Sequence, residues 1–264
     1  MTTPALDLTL AGTGQVSVTV DDRGEGRPFL LLHGGGGPQT VAGFAELLAT
    51  KEPARVITPT HPGFGGTPRP DGLADMAGLA ALYRELLDRL GLDGVTVIGN
   101  SIGGWIAAEL ALLGSPRIRG TVLVDAVGIE VDGHPVTDIF PLSLDELARR
   151  SYHDPAAFRI DPAAMTEPQR AGMAANRAAL QVYGGTRMTD PSLRGRLAAI
   201  TAPTLVIWGD ADRIADPGYG RAYAAAIPGA RFELLTETGH LPQLETPEQL
   251  LRAIWDFAEE PAAR

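Results

Sequence analysis

The chain of 264 residues is 44% hydrophobic, 6% aromatic and 20% charged, enough for one large α/β domain or two small ones. Its 32 acidic and 22 basic residues leave a formal net charge of −10, which repels a phosphate backbone and argues against a nucleic-acid partner. With no cysteine, disulfides, thiolate nucleophiles and thiolate metal sites are excluded together, and no apolar run approaches the roughly 20 residues that span a bilayer.

The first residues carry neither a basic cluster nor an apolar segment, so a cytoplasmic protein without a membrane partner is expected. Residues 6–10 and 16–20 alternate apolar and polar side chains, the pattern of half-buried strands, with glycines between them for a hairpin turn. The run 29–32, Phe-Leu-Leu-Leu, is continuously apolar, as a strand covered on both faces of a parallel sheet would be. Similar runs recur at 55–57, 95–98, 121–124, 204–208 and 231–235. Helical periodicity is clearest where Met76, Leu79, Tyr83, Leu86, Leu87 and Leu90 share one face, with Gly91 placed as a C-cap. The residues after Ser101 and the tail 247–257 are also helical in pattern. Strands alternating with helices imply βαβ units and a mostly parallel eight-stranded sheet flanked by helices, with an antiparallel hairpin at one edge.

One stretch breaks this rhythm. Residues 128–196 contain no strand-like run, and a connection of that length needs secondary structure of its own. Helices are expected over 144–151, 155–158 and 167–183. The chain then divides into a core of residues 1–127 and 197–264 and a helical cap insertion of residues 128–196, lying over the C-terminal sheet edge where open α/β sheets bind ligands.

The chemistry concentrates after the strands. Gly99-Asn100-Ser101-Ile102-Gly103-Gly104 joins a buried strand to a helix and has the G-x-S-x-G spacing of a nucleophile elbow. Flanking glycines leave room for a strained turn that lifts the Ser101 hydroxyl above the sheet, and the Ile102 N–H opens the helix where partial positive charge accumulates. A Gly/Ser turn without chemistry is the plainer reading, and the strand-to-helix context weighs against it. After the strand 29–32 comes His33-Gly34-Gly35-Gly36-Gly37-Pro38, a glycine run that lets backbone amides approach a ligand. It lacks the Lys-Ser/Thr of a phosphate loop and suits a second oxyanion donor. Of the five histidines, His33 suits a structural role and His61 a structural or pocket-lining one, while His134 and His153 lie in the insertion. His240 follows the last strand, on the same sheet edge as Ser101, and is the candidate base. The acid is open among Asp210, Asp212 and Asp125, all just past strand ends. Asp210 sits close enough to its strand to serve the turn through local backbone hydrogen bonds.

Together with His61-Pro62-Gly63-Phe64-Gly65 and Gly209-Asp210-Ala211-Asp212-Arg213, these motifs resemble the α/β-hydrolase superfamily, in particular cap-bearing bacterial carboxylesterases and meta-cleavage-product hydrolases. The resemblance implies the α/β-hydrolase fold and a triad of Ser101, Asp212 and His240, the acid standing three positions after the strand-ending Gly209. It implies oxyanion donors at the amides of Ile102 and Gly35, with Gly34 as the alternative to Gly35. Gly36, Trp105 and Leu241 are the expected substrate-pocket residues. Carbon–carbon hydrolases of this group commonly carry Trp directly after the catalytic histidine, where Leu241 stands here, and they hold a substrate carboxylate with a cap arginine, for which Arg170, Arg177 and Arg187 are candidates. Epoxide hydrolases and haloalkane dehalogenases place Asp where this chain has Ser101 and are excluded. A serine hydrolase acting on a small-molecule ester is therefore expected, with no metal and no cofactor. A carbon–carbon bond hydrolase and a ligand-binding module with little turnover are the alternatives. A homodimer is compatible with the chain, although nothing in it specifies an assembly.

Overall fold

Two kinds of strand build the sheet, as the two hydropathy patterns require. The computed structural model describes residues 5–260. In chain order the elements are β1 (Ala5–Leu10), β2 (Gly14–Gly24), β3 (Arg27–Leu32), α1 (Gln39–Lys51), β4 (Ala54–Pro59), α2 (Met76–Leu90), β5 (Val95–Asn100), α3 (Ile102–Leu112), β6 (Ile118–Val124), α4 (Leu144–Ser151), α5 (Glu167–Gly184), α6 (Leu193–Arg196), β7 (Thr204–Gly209), α7 (Pro217–Ala225), β8 (Arg231–Leu235), α8 (Pro242–Glu245) and α9 (Pro247–Glu259). The sheet has eight strands in the order β1-β2-β4-β3-β5-β6-β7-β8. Strand β2 is antiparallel to β1 and β4, and the pairings from β4 to β8 are all parallel. In β2 the alternating Val16, Val18 and Val20 are buried, whereas β5 and β7 are buried along their whole length. This is the fold class expected from the sequence.

Pleating sorts the buried strands' side chains into two cores. Phe29, Leu31, Leu205 and Ile207 pack with Phe44 and Leu48 of α1 and Ile254 of α9. Leu30, Leu32, Val206 and Trp208 face the other way, against Leu86 of α2, Ile106 of α3 and Tyr223 of α7. Helix α2 starts on the Asp75 carboxylate, which accepts from the Gly78 N–H at 2.7 Å, and ends on Gly91 at φ 61°, the expected C-cap.

Among the described residues, the stretch between β6 and β7 holds α4, α5 and α6 and no strand. The expected helix over 155–158 does not form. Asp154 accepts from the Ala156 N–H at 3.1 Å as an N-cap would, but the four residues after it make only a turn, too short to propagate a helix. Hydropathy patterning marks no helix at α1 or α7. Gly43 in one and Gly218 and Gly220 in the other weaken the local signal, and burial against the sheet overrides it.

Behind the glycine loop lies a buried histidine pair. His33 Nδ1–H donates to the Gly34 carbonyl at 2.8 Å and its Nε2 accepts from the His61 N–H at 3.1 Å. His61 Nε2–H donates to the His33 carbonyl at 2.9 Å, and its Nδ1 accepts from the Tyr83 hydroxyl. Every ring nitrogen is satisfied with both rings neutral. Burial holds His33 down to about 4, and burial together with the neighbouring His33 keeps His61 well below the ordinary 6.5. Between those values the unfolded chain binds protons that the folded chain refuses, so stability is lost as pH falls from 6.5 towards about 4. The melting temperature of the wild type should fall across that window, and more steeply than that of His61→Gln; parallel slopes would contradict the buried neutral pair.

Candidate active site

Ser101 stands between β5 and α3 at φ 57° and ψ −118°, a backbone conformation that is uncommon outside glycine. The turn closes so tightly that a Cβ at Gly99 would lie 2.1 Å from the Gly103 carbonyl oxygen, and one at Gly103 would lie 2.3 Å from that of Leu32. The Ser101 N–H donates to the Val124 carbonyl at 2.9 Å, and its carbonyl accepts from Trp105 at 3.2 Å and Val127 at 3.3 Å. These contacts hold the strained residue and leave its side chain partly exposed above the sheet edge.

The other two side chains arrive from later strands. Asp212 lies in the loop after β7 and His240 in the loop after β8. Ser101 Oγ is 3.0 Å from His240 Nε2, and His240 Nδ1 is 2.8 Å from Asp212 Oδ2. A carboxylate only accepts, so Nδ1 carries the imidazole proton and Nε2 accepts from the serine hydroxyl. Asp212 Oδ1 accepts from the N–H groups of Ile214 at 2.7 Å and Ala215 at 3.3 Å, which fixes its rotamer. The structure thus brings together all three residues expected of the triad, in a hydrogen-bonded series able to withdraw a proton from Ser101.

Several supporting residues carry little recognisable sequence signal. Asn100, buried beside the elbow, donates to the carbonyls of His240 at 3.0 Å and Val124 at 3.3 Å and accepts from Gln243 at 3.1 Å. The carbonyls at the end of α4 hold both loops. That of Ser151 accepts from the His240 N–H at 2.7 Å, and that of Arg150 from the Arg213 N–H at 3.0 Å. Glu245 accepts from the N–H groups of Gly239 at 2.6 Å and Asp154 at 2.9 Å, joining the histidine loop to the chain beyond α4. Only position 100, inside the elbow motif, carried any signal of such a role.

The glycine loop sits beside Ser101: a Cβ at Gly34 would lie 3.2 Å from that of the serine. The N–H groups of Gly34, Gly35 and Ile102 all have no hydrogen-bond partner among the described residues, so each is free to donate to a ligand. Helix α5 presses on this loop. Asn176 donates to the Gly36 carbonyl at 2.9 Å and accepts from the Gly65 N–H at 2.8 Å, and Leu180 packs against Gly35. Of the remaining expected pocket residues, Trp105 is 5% exposed within the core, its ring against Gly128, and Leu241 is half-buried at the start of α8.

Most of the other candidates are held by other partners. Asp210 accepts from the Thr238 N–H at 3.1 Å, tying two loops together instead of serving its own turn. His134 pairs with Asp216 at 2.8 Å, and His153 is exposed. Arg170 binds Glu167, Arg177 donates to the Phe140 carbonyl, and Arg187 pairs with Glu130. Asp125 is buried beside the triad but makes no hydrogen bond to His240; its Oδ1 accepts from the Gly209 N–H at 2.9 Å. Asp125, Asp212 and His240 offer ligand atoms within 4.8 Å of one another, the one such cluster among the described residues. There both His240 nitrogens are already committed to Ser101 and Asp212, so the cluster is organised by hydrogen bonds and not as a metal cage.

A model of the alpha/beta hydrolase family matches residues 29–253. The 2-hydroxymuconate semialdehyde hydrolase of Pseudomonas putida is 31% identical, over 90% of this chain and 89% of its own length. Lipase 3 of Moraxella sp. strain TA144 is 28% identical, over 90% of this chain and 79% of its own. Among solved structures, a thermophilic esterase from Thermogutta terrifontis matches with a TM-score of 0.78 at 26% identity, covering 96% of this chain and 97% of the esterase. No helix among the described residues is long and apolar enough to cross a membrane. The chain belongs to the alpha/beta hydrolase family and is a hydrolase of that fold.

Proposed function

We propose that this protein is a serine hydrolase that cleaves a small carboxylic ester, with residues 128–196 forming a cap over the site. The observation that carries the reading is the uninterrupted series from Ser101 through His240 to Asp212, set beside uncommitted backbone N–H groups. Ser101 Oγ attacks the ester carbonyl while His240 Nε2 takes its proton. The N–H groups of Gly35 and Ile102 stabilise the oxyanion, and Asp212 stabilises the imidazolium. Collapse expels the alcohol, which receives the proton from His240. Water then enters, gives its proton to the same nitrogen and releases the acid from Ser101.

A carbon–carbon bond hydrolase using the same three residues is the second reading, favoured by the 31% identity to the semialdehyde hydrolase. The ester reading is preferred because Arg170, Arg177 and Arg187 are all occupied by other partners, and Leu241 offers no polar group beside His240.

Two measurements test this account. Purified protein should turn over p-nitrophenyl acetate or butyrate faster than a meta-cleavage dienoate, and Arg170→Ala, Arg177→Ala and Arg187→Ala should each stay within about threefold of wild type. A dienoate preference abolished by one of these changes would establish the second reading, and no turnover of either substrate would favour a binding module. Within the triad, Asp212→Asn should keep the native circular dichroism spectrum and lower kcat by about 10⁴-fold, because the wrong imidazole tautomer is then favoured. Asp210→Asn should cost about tenfold at most, since its carboxylate only holds a loop.

A further inference from the structure

The end of β6 delivers a second carboxyl group to the same buried space, and the mechanism above does not use it. Asp125 takes a left-handed backbone conformation at φ 45° and is fully buried. One of its oxygens accepts from Gly209, whereas Oδ2 is sealed from solvent without a hydrogen-bond partner. An orphaned carboxylate oxygen in a dry site is costly, and each such group calls for an explanation. Asp212 is the neighbour that supplies one. Its carboxylate accepts from Ile214, Ala215 and His240, while a carboxylate offers about four acceptor positions. Two ionised carboxylates crowded against one imidazole would repel, and such pairs resolve when one keeps its proton. Burial first, and then the charge of Asp212, push the Asp125 carboxyl well above the usual range, with Glu245 acting in the same direction.

We propose that Asp125 is a carboxylic acid in the working enzyme, its Oδ2–H donating to the open acceptor position of Asp212, and so is a positioning residue for the group that orients His240. The proposal rests on the reading of Ser101, His240 and Asp212 as the triad. The extra donor adds a further hydrogen bond to a carboxylate whose Oδ1 already accepts from Ile214 and Ala215, and it leaves the buried site with one negative charge instead of two. Among the groups around it, Asp212 accepts this proton, His240 is already bonded to Asp212, and Glu245 is held by two backbone N–H groups.

The test compares wild type with Asp125→Asn and Asp125→Leu. The carboxamide reproduces a protonated acid, with one acceptor for Gly209 and one donor for Asp212, while leucine supplies neither. Asp125→Asn should keep kcat within about tenfold and leave unchanged the pH at which kcat/KM is half-maximal. Asp125→Leu should lower kcat by about 10²-fold with little change in KM. A downward move of that half-maximal pH by about one unit in Asp125→Asn would mark a lost negative charge and overturn the proposal; so would equal activity in the two variants. A second readout needs no turnover. A carboxyl protonated only in the folded state makes stability fall as pH rises above the ordinary 3.8, because unfolding then releases a proton. In a Ser101→Ala background, the melting temperature of Asp125→Asn should gain on that of Asp125 as pH rises from about 5 to 8. A difference independent of pH would overturn the proposal even if the triad stands, and a growing difference alongside an otherwise wild-type protein that turns over neither ester nor dienoate would fault the triad alone.

Discussion

The backbone of Ser101 is the constraint on which the rest of the site depends. A non-glycine residue at φ 57° carries strain of about 1–3 kcal/mol and persists only where its surroundings over-determine it. Here they do. Its N–H and carbonyl are both engaged by neighbouring backbone, glycines on either side allow the chain to close on itself, and α3 packs all but its last residue in the core. The same turn that presents the hydroxyl also leaves the Ile102 N–H unpaired at a helix start. The proposed nucleophile and the proposed oxyanion donor therefore come from one local feature.

The acid and the imidazole come from separate strands, so their registration is a tertiary problem. Helix α4 solves part of it, since successive carbonyls at its end hold the loops bearing Asp212 and His240. Asn100 ties the elbow to the histidine loop, and Glu245 ties that loop to the chain beyond α4. Helix α5 meanwhile bears on the glycine loop through Asn176 and Leu180. The segment between β6 and β7 is thus built into the scaffold of the site. Its first helix holds the loops that bear Asp212 and His240, and its second bears on the loop that carries Gly35.

Much of this was legible in the sequence where chemistry is carried by a short local pattern. The elbow, the glycine run after His33 and the loop Gly209 to Arg213 each place a functional group within a few residues of a strand end. Continuous apolar runs marked the doubly covered strands, and alternation marked β2. What was not legible is pairing across distance. The Asn100 to His240 bond joins residues 140 positions apart, and an asparagine inside a motif does not announce such a partner. Asp125 was readable as an acid at a strand end, but only the burial shared with Asp212 separates a bearer of a proton from the acceptor of the imidazole N–H. The missed helices α1 and α7 show local propensity yielding to packing, and the turn at 155–158 shows that a capping side chain alone does not carry a helix past one turn.

The central claim is that the geometry activates Ser101 and no other serine. Ser17, Ser115, Ser143, Ser151 and Ser192 lie outside any elbow, and Ser151 is committed at its carbonyl to holding His240. Covalent labelling with a fluorophosphonate followed by peptide mapping addresses this directly, because phosphonylation requires a hydroxyl that is both deprotonated by a neighbouring base and faced by oxyanion donors. The account predicts a single adduct on the peptide containing Ser101, absent from His240→Ala. An adduct on any other serine, or active protein that takes no label, would contradict it.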